Sequence, residues 1–349
     1  MKKQWDFRKH LMMGGCIRIV LAVFLVTAIS SLNFDAKAAG NNDACAETST
    51  FAQTACQNAA NEVYQLALGK CENERESNQD SCESDAKAEL DSSLKDCQDQ
   101  YDARQAVCEE VGQGPYLPTG IAPFKPFSLP DDKGYFPLKV GTKYTYKSYD
   151  TKGNIIETDV VQVTNKTRTL LGVKCRAVQD TVYKGNAQVD KLEDTTDWYA
   201  QDRFGNKWYF GEIAQQFDEE GILIAIDGSW TAGVEGAKPG ILIYAKPEDH
   251  IGQGYRQEFA LGEAEDDSRN VDFVTLAYLN KYAYFSANFP KSIKIGSGKV
   301  ILHTQDFSAL EPASVLEGQF EDKFYAPGVG LILTVGPDGT QEVLVTIER

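Results

Sequence analysis

Cys71-Glu-Asn-Glu-Arg-Glu-Ser-Asn-Gln-Asp-Ser-Cys82 sits at the centre of a symmetric cysteine series. Outward from it come Cys56 and Cys97, then Cys45 and Cys108, so the intervals run 11, 15, 11, 15 and 11 residues. The series is its own mirror image about the Glu76–Ser77 bond. Such symmetry is the index rule for two antiparallel segments folded back at one turn. It pairs Cys71 with Cys82, Cys56 with Cys97 and Cys45 with Cys108. Both intervals are close to whole helical turns at about 3.6 residues each, so the thiols of each arm keep to one stripe. No proline falls between residues 39 and 114, and runs such as Asp85-Ala-Lys-Ala-Glu-Leu90 favour helix. Ser77–Ser81 reads as the turn, with Ser77 and Asp80 resembling a capping box.

The same rule sets Val63 against Leu90, Ala67 against Ala86, Ala60 against Ser93 and Ala52 against Tyr101. Small residues beside the thiols allow the close backbone approach that a disulfide needs, about 5.5–6 Å between Cα atoms. Six cysteines permit about 15 connectivities. A three-helix arrangement and bridges between two copies are the alternatives to the nested order. The spacing resembles the twin-cysteine helical hairpins of the CHCH type. Here each repeat is Cys-x10-Cys, there are three rungs, and the likeness implies no function.

Residues 1–38 read as a secretory signal. Lys2, Lys3, Arg8 and Lys9 precede an apolar run from Ile17 to Ile29, and Ala36-Lys37-Ala38 offers a cleavage site. An uncleaved anchor is the alternative. Export agrees with the cysteines, because disulfides persist in oxidising compartments. The expected location is periplasmic or secreted, with no membrane span in the mature chain. The whole chain carries −16 and the signal segment +4, leaving −20. Residues 39–114 alone carry −11. This charge argues against nucleic acid and anionic lipid as partners.

The expected organisation is a signal peptide (1–38), a disulfide-laddered α-hairpin (39–111), a Pro-rich linker (112–137) and a β-rich domain (138–349). Six of the twelve prolines fall between Pro115 and Pro137. Beyond Leu138, period-2 alternation predicts strands at 142–146, 155–164, 172–183, 207–213, 222–226, 241–244, 282–289 and 343–347. The fold class is therefore α+β in separate domains, the second an antiparallel open barrel or sandwich. An offset of 126 residues aligns Gln179-Asp180 with Gln305-Asp306 and Trp198-Tyr-Ala200 with Phe324-Tyr-Ala326. That alignment points to internal duplication.

Glu193-Asp-Thr-Thr-Asp-Trp-Tyr-Ala-Gln-Asp202, Gly205-Asn-Lys-Trp-Tyr-Phe-Gly-Glu212 and Tyr325-Ala-Pro-Gly-Val-Gly330 resemble a group of secreted bacterial β-rich proteins. The resemblance implies bacterial origin and names no reaction. The cysteine hairpin departs from that group.

Familiar catalytic templates are missing from the sequence. Past the signal segment only His250 and His303 remain, in separate segments, which speaks against histidine triads and zinc sites. Gly296-Ser-Gly-Lys299 is too short for a phosphate loop. The candidate functional patch joins Tyr255, Arg256, Glu258, Glu263 and Asp266 to the aromatic pair Trp198 and Trp208. No catalytic residue, metal ligand or cofactor is assigned. Calcium is the one ion that turn oxygens at Asp202, Asn206 and Asp338 would suit, and no spaced calcium loop occurs. Cys175 alternates with Val173 and Ala177, so a buried, reduced thiol is expected. The reading favoured is an exported, non-enzymatic binding or scaffold protein. Its acidic helical arm would contact a partner, and its β domain would hold a protein or an apolar ligand. The competing reading is a carboxylate-dependent hydrolase of envelope polysaccharide centred on Glu258 and the acids at 263–267.

Overall fold

The computed structural model describes residues 43–118 and 127–349. The expected signal segment and part of the Pro-rich stretch lie outside the described residues. Helices α1 (Ala44–Cys71) and α2 (Glu76–Val111) form an antiparallel hairpin. The disulfides are nested, Cys45–Cys108, Cys56–Cys97 and Cys71–Cys82, with Cα separations of 5.7, 5.7 and 5.6 Å. Small buried residues, Ser49, Ala52, Ala60, Ala86 and Ser93, line the seam and permit that approach. Two local expectations fail. The turn is Glu72–Arg75, and Ser77 lies inside α2 without capping it. The acidic first turn of α2 continues the helix back towards Cys71, because one short reversal suffices once the innermost rung is closed. Val63, expected opposite the buried Leu90, is exposed.

The β domain begins with β1 (Lys143–Tyr149), β2 (Ile155–Leu170), β3 (Val173–Lys184), β4 (Lys191–Gln201) and β5 (Lys207–Phe217). Next come the short β6 (Leu223–Ala225), β7 (Trp230–Thr231), β8 (Lys238–Ile243), β9 (Gly254–Arg256) and β10 (Glu258–Phe259). After β11 (Asp266–Val274), helices α3 (Leu276–Leu279) and α4 (Ala283–Asn288) lead to β12 (Ile301–Ser308). Helix α5 (Pro312–Leu316), β13 (Glu321–Ala326), β14 (Gly330–Val335) and β15 (Gln341–Glu348) complete the chain. The strand expected at 282–289 is thus helical. Its alternating aromatics fit helical spacing as well, and Phe285 and Phe289 stack at 4.7 Å, four residues apart.

All pairings between named strands are antiparallel, and β1 joins the two meanders by pairing with both β2 and β15. The sheet curls into a nearly closed antiparallel barrel, the first of the two expected β architectures. The joint is a single kinked segment, in which β9 pairs with β11 and β10 with β8. Gly240 makes the joint sterically feasible, since a Cβ there would lie 2.3 Å from the Gln257 carbonyl oxygen. The two hairpins related by the 126-residue offset share one register. Gln179 faces Thr196 as Gln305 faces Asp322, and Arg176 faces Tyr199 as Leu302 faces Tyr325.

Residues 127–137 lie against the barrel. Ser128 bridges to Gln201, and Phe127 meets Trp208 and Phe210 edge-on. Tyr135 and Phe136 pack on Ile243, Leu302 and Tyr325. Cys175 is buried, and burial pushes its thiol up to about 12. Among the described residues it is the one free cysteine.

Candidate functional site

The hairpin is seated on the barrel joint through its open end. Arg104 on α2 donates twice to Glu265, Nε to Oε2 and Nη2 to Oε1, both at 2.8 Å, and both side chains are buried. Glu265 Oε1 also accepts the Gly262 N–H at 2.7 Å, so the carboxylate is held by the turn before it is met by α2. Glu110 pairs with Arg269 at 2.9 Å. Ala103, Val107 and Val111 pack on Phe307, Ala309, Val315 and Phe320. A buried bidentate pair of this kind gives orientation as well as energy.

Arg256 lies beneath the first rung. Its guanidinium sits over Phe259 and Tyr116, its Nη2 is 3.5 Å from Cys45 Sγ, and its Nη1 is 3.5 Å from Asp267. Burial pushes the Asp267 carboxyl up to about 8, and Arg256 only partly opposes that at such a distance. The second oxygen of Asp267 accepts no hydrogen bond from the described residues. Period-2 alternation separates Asp266 from Asp267, and the break at Gln257 between β9 and β10 separates Arg256 from Glu258. Arg256 and Asp267 face each other beneath the hairpin, whereas Glu258 and Asp266 belong to the inside of the barrel.

That interior is assembled by register. Asp197 is opposite Glu212, and Glu212 is opposite Trp230. Asp306 is opposite both Ser268 and Glu321, and Lys323 is opposite Thr304 and Thr334. Directly opposed residues share a face. Tyr209 donates to Asp197 Oδ1 at 2.5 Å and also hydrogen-bonds Glu212. Burial, then the charge of Asp180, pushes Asp197 up to about 8. Glu212 is raised by burial and then by Asp197, and Glu258 by burial and then by Asp266 and Glu212. Burial raises Glu342 to about 7. Burial lowers Lys323, but Asp306 at 2.8 Å and Glu321 at 3.0 Å outweigh it and hold its charge. Asp266 is exposed although it lies on this face, so solvent reaches that end. The arrangement can take up and release protons, and two carboxyls that share one tyrosine hydroxyl are suited to acid–base work.

A groove of about 680 Å³ lies between residues 111–118 and the strands β5 and β8. Three of the sequence-derived candidates, Trp208, Tyr255 and Arg256, line it together with Tyr116, Tyr244 and His250. Tyr244 stacks on His250 at 3.7 Å and meets Tyr255 edge-on at 4.9 Å. Trp208 donates to Asp202 at 3.0 Å. Trp198 stands on the opposite face of the sheet from Asp197, with Arg168 at 4.4 Å over its ring. Glu263 is exposed in the turn before β11, raised first by burial and then by Asp227 and Glu235. The turn carboxylates Asp202 and Asp338 accept backbone N–H groups of their own turns. His303 lies between Asp272 and Asp322 and stacks on Phe324. No group of three or more metal-ligating side chains is found among the described residues.

Sequence reading missed Arg104 and Glu265 as a pair, because 161 residues separate them. It also missed Asp197, Tyr209 and Glu212. Their period-2 alternation was visible, but the irregularity between Asp197 and Tyr199 shifts the face that each residue occupies.

No protein-family model matches the chain, and no curated protein does. Two solved structures match. One is a candidate exported protein with a YmcC-like fold from Bacteroides fragilis NCTC 9343, at 13% identity over 62% of this chain and 100% of that one, with a TM-score of 0.30. The other is a candidate lipoprotein from Parabacteroides distasonis ATCC 8503, at 14% identity over 62% of this chain and 99% of that one, with a TM-score of 0.27. Among the described residues no helix is long and apolar enough to cross a membrane.

Proposed function

We propose that the chain is an exported, non-enzymatic binding or scaffold protein of the bacterial envelope. In this reading the hairpin is a rigid contact arm and the aromatic groove of the β domain is a ligand surface. Three disulfides belong with an oxidising compartment, periplasmic or extracellular. The observation that carries the reading is the one-ended seat of the hairpin. Arg104, Val107 and Glu110 fix its base on the joint, while the outer two rungs tie one arm only to the other. Along these arms Phe51, Val63 and Leu66 are exposed. A helix of 28 residues is about 42 Å long at about 1.5 Å per residue, far more than a stabilising clasp requires.

The test removes residues 61–92 and keeps the Cys45–Cys108 and Cys56–Cys97 rungs. Crosslinking in the envelope should then lose the partners that the full arm captures, with the barrel still folded. Recovery of an unchanged set of partners would end the contact-arm reading.

One observation favours a second reading, a carboxylate-dependent hydrolase of envelope polysaccharide. Asp197 and Glu212 share the Tyr209 hydroxyl, with Glu258 close enough to be raised by both. Release of reducing ends by the oxidised protein, abolished in folded Glu212→Gln and Glu258→Gln variants, would establish it. Equal release by these variants would dismiss it.

A further inference from the structure

Strand β6 has an open edge. Among the described residues it pairs only with β5, through Gln216–Ala225 and Phe217–Leu223. Sheet edges in soluble proteins are ordinarily blunted by charge, proline or a covering segment. Here the strand is short, three residues, but Ile222-Leu-Ile-Ala-Ile226 holds no charge or proline, and among the described residues no segment covers it. Ile222, Leu223, Ile224 and Ile226 are 61, 47, 54 and 56% exposed, and Ile213 on the neighbouring β5 is 42% exposed. An exposed apolar edge strand is a surface for strand addition.

We infer that β6 pairs with β6 of a second copy, antiparallel and centred on Ile224. In that register the strand matches its own copy in apolar side chains and keeps its flanking acids out of direct opposition. About this centre Ile222 meets Ile226, Leu223 meets Ala225 and Ile224 meets itself, so every opposed pair is apolar. The flanks are acidic, with Asp218, Glu219 and Glu220 on one side and Asp227 on the other. In the antiparallel register Asp227 falls opposite Gly221 and Glu220 opposite Gly228, so no carboxylate faces another. A parallel in-register pairing would set Asp227 beside Asp227 and is excluded by like-charge repulsion. An isologous contact of this kind closes after two copies, which limits growth into fibres. The same acids, in a chain of net charge −16, repel an anionic lipid surface.

The test uses the oxidised full-length protein. Sedimentation at about 100 μM should give the mass of two chains, and moderate salt should favour association by screening the net charge. Ile224→Cys should crosslink to itself on mild oxidation, since directly opposed Cα atoms lie about 4.5–5.5 Å apart. Ile222→Cys should not crosslink to itself, because four residues of register place the two copies of that position about 14 Å apart at about 3.4 Å per residue. Mixed with Ile226→Cys it should crosslink. Ile224→Lys, at an exposed position, should halve the sedimenting mass with an unchanged circular dichroism spectrum. A monomeric wild type overturns the proposal, as does self-crosslinking of Ile222→Cys equal to that of Ile224→Cys. Flotation of a monomer with neutral phosphatidylcholine vesicles overturns it in favour of lipid.

Discussion

In the helical hairpin apolar contact is sparse and covalent bonds are dense. Three rungs span 63, 41 and 11 residues of sequence, while Phe51, Val63 and Leu66 remain in solvent. In the barrel the balance is reversed. Its strands are held by continuous pairing, its one free thiol is buried, and its inner face carries charge that packing alone would not choose. A two-helix unit has too little surface to bury and needs staples. A sheet closed on itself has apolar surface to spare and can hold buried acids at the cost of shifting their pKa values. Each region is vulnerable in its own way, the hairpin to electrons and the barrel to protons.

Reduction should separate the two regions with the largest effect. Each rung is worth about 2–4 kcal/mol by the loop it closes. With all three reduced, the helical signal at 222 nm should collapse while the near-ultraviolet signal of the barrel aromatics persists. Simultaneous loss of both signals would show one cooperative unit instead of two regimes.

The junction should be next. Arg104→Met leaves Glu265 buried without its partner, at a cost of about 3–5 kcal/mol, and adding Glu265→Leu should return most of it. Hydrogen exchange at the base of α2 reads this directly. If the double variant were as damaged as the single one, the pair would be acting by shape alone.

The smallest effect is expected from pH. Burial holds Asp197 at about 8 and Glu342 at about 7, above their ordinary range. The native state therefore keeps protons that the unfolded chain releases above about pH 4. Their contribution is fully present below that point and is lost as pH rises towards about 8. Barrel Tm should fall by several degrees between pH 5 and pH 8.5, and folded Asp197→Asn should flatten the slope. A Tm that rises over this range would contradict protonated inner carboxyls.

Cysteine spacing made the hairpin legible, because a rung constrains two indices at once. The antiparallel β class was legible from alternation. The barrel joint was not, since β9 and β10 are only three and two residues long and their pairing depends on Gly240 admitting the Gln257 backbone. The candidate patch was legible as a sequence neighbourhood only. Arg256 and Glu258 are two apart, but the kink at Gln257 between β9 and β10 commits one to the hairpin seat and the other to the interior. Trp208, Tyr255 and Arg256 do converge on a groove, whereas Trp198 and Glu263 stand away from it.

The kinked segment at residues 254–259 is both the last stave of the barrel and the floor beneath the Cys45–Cys108 rung. The hairpin is therefore anchored on that stave as well as on Glu265, Phe307 and Arg269 beside it. A sideways load at the tip, multiplied over some 40 Å of helix, arrives as torque on the two short ladders beside Gly240. A load on the hairpin would thus reach the joint through the Cys45–Cys108 rung and the neighbouring strands through Arg104 and Val107.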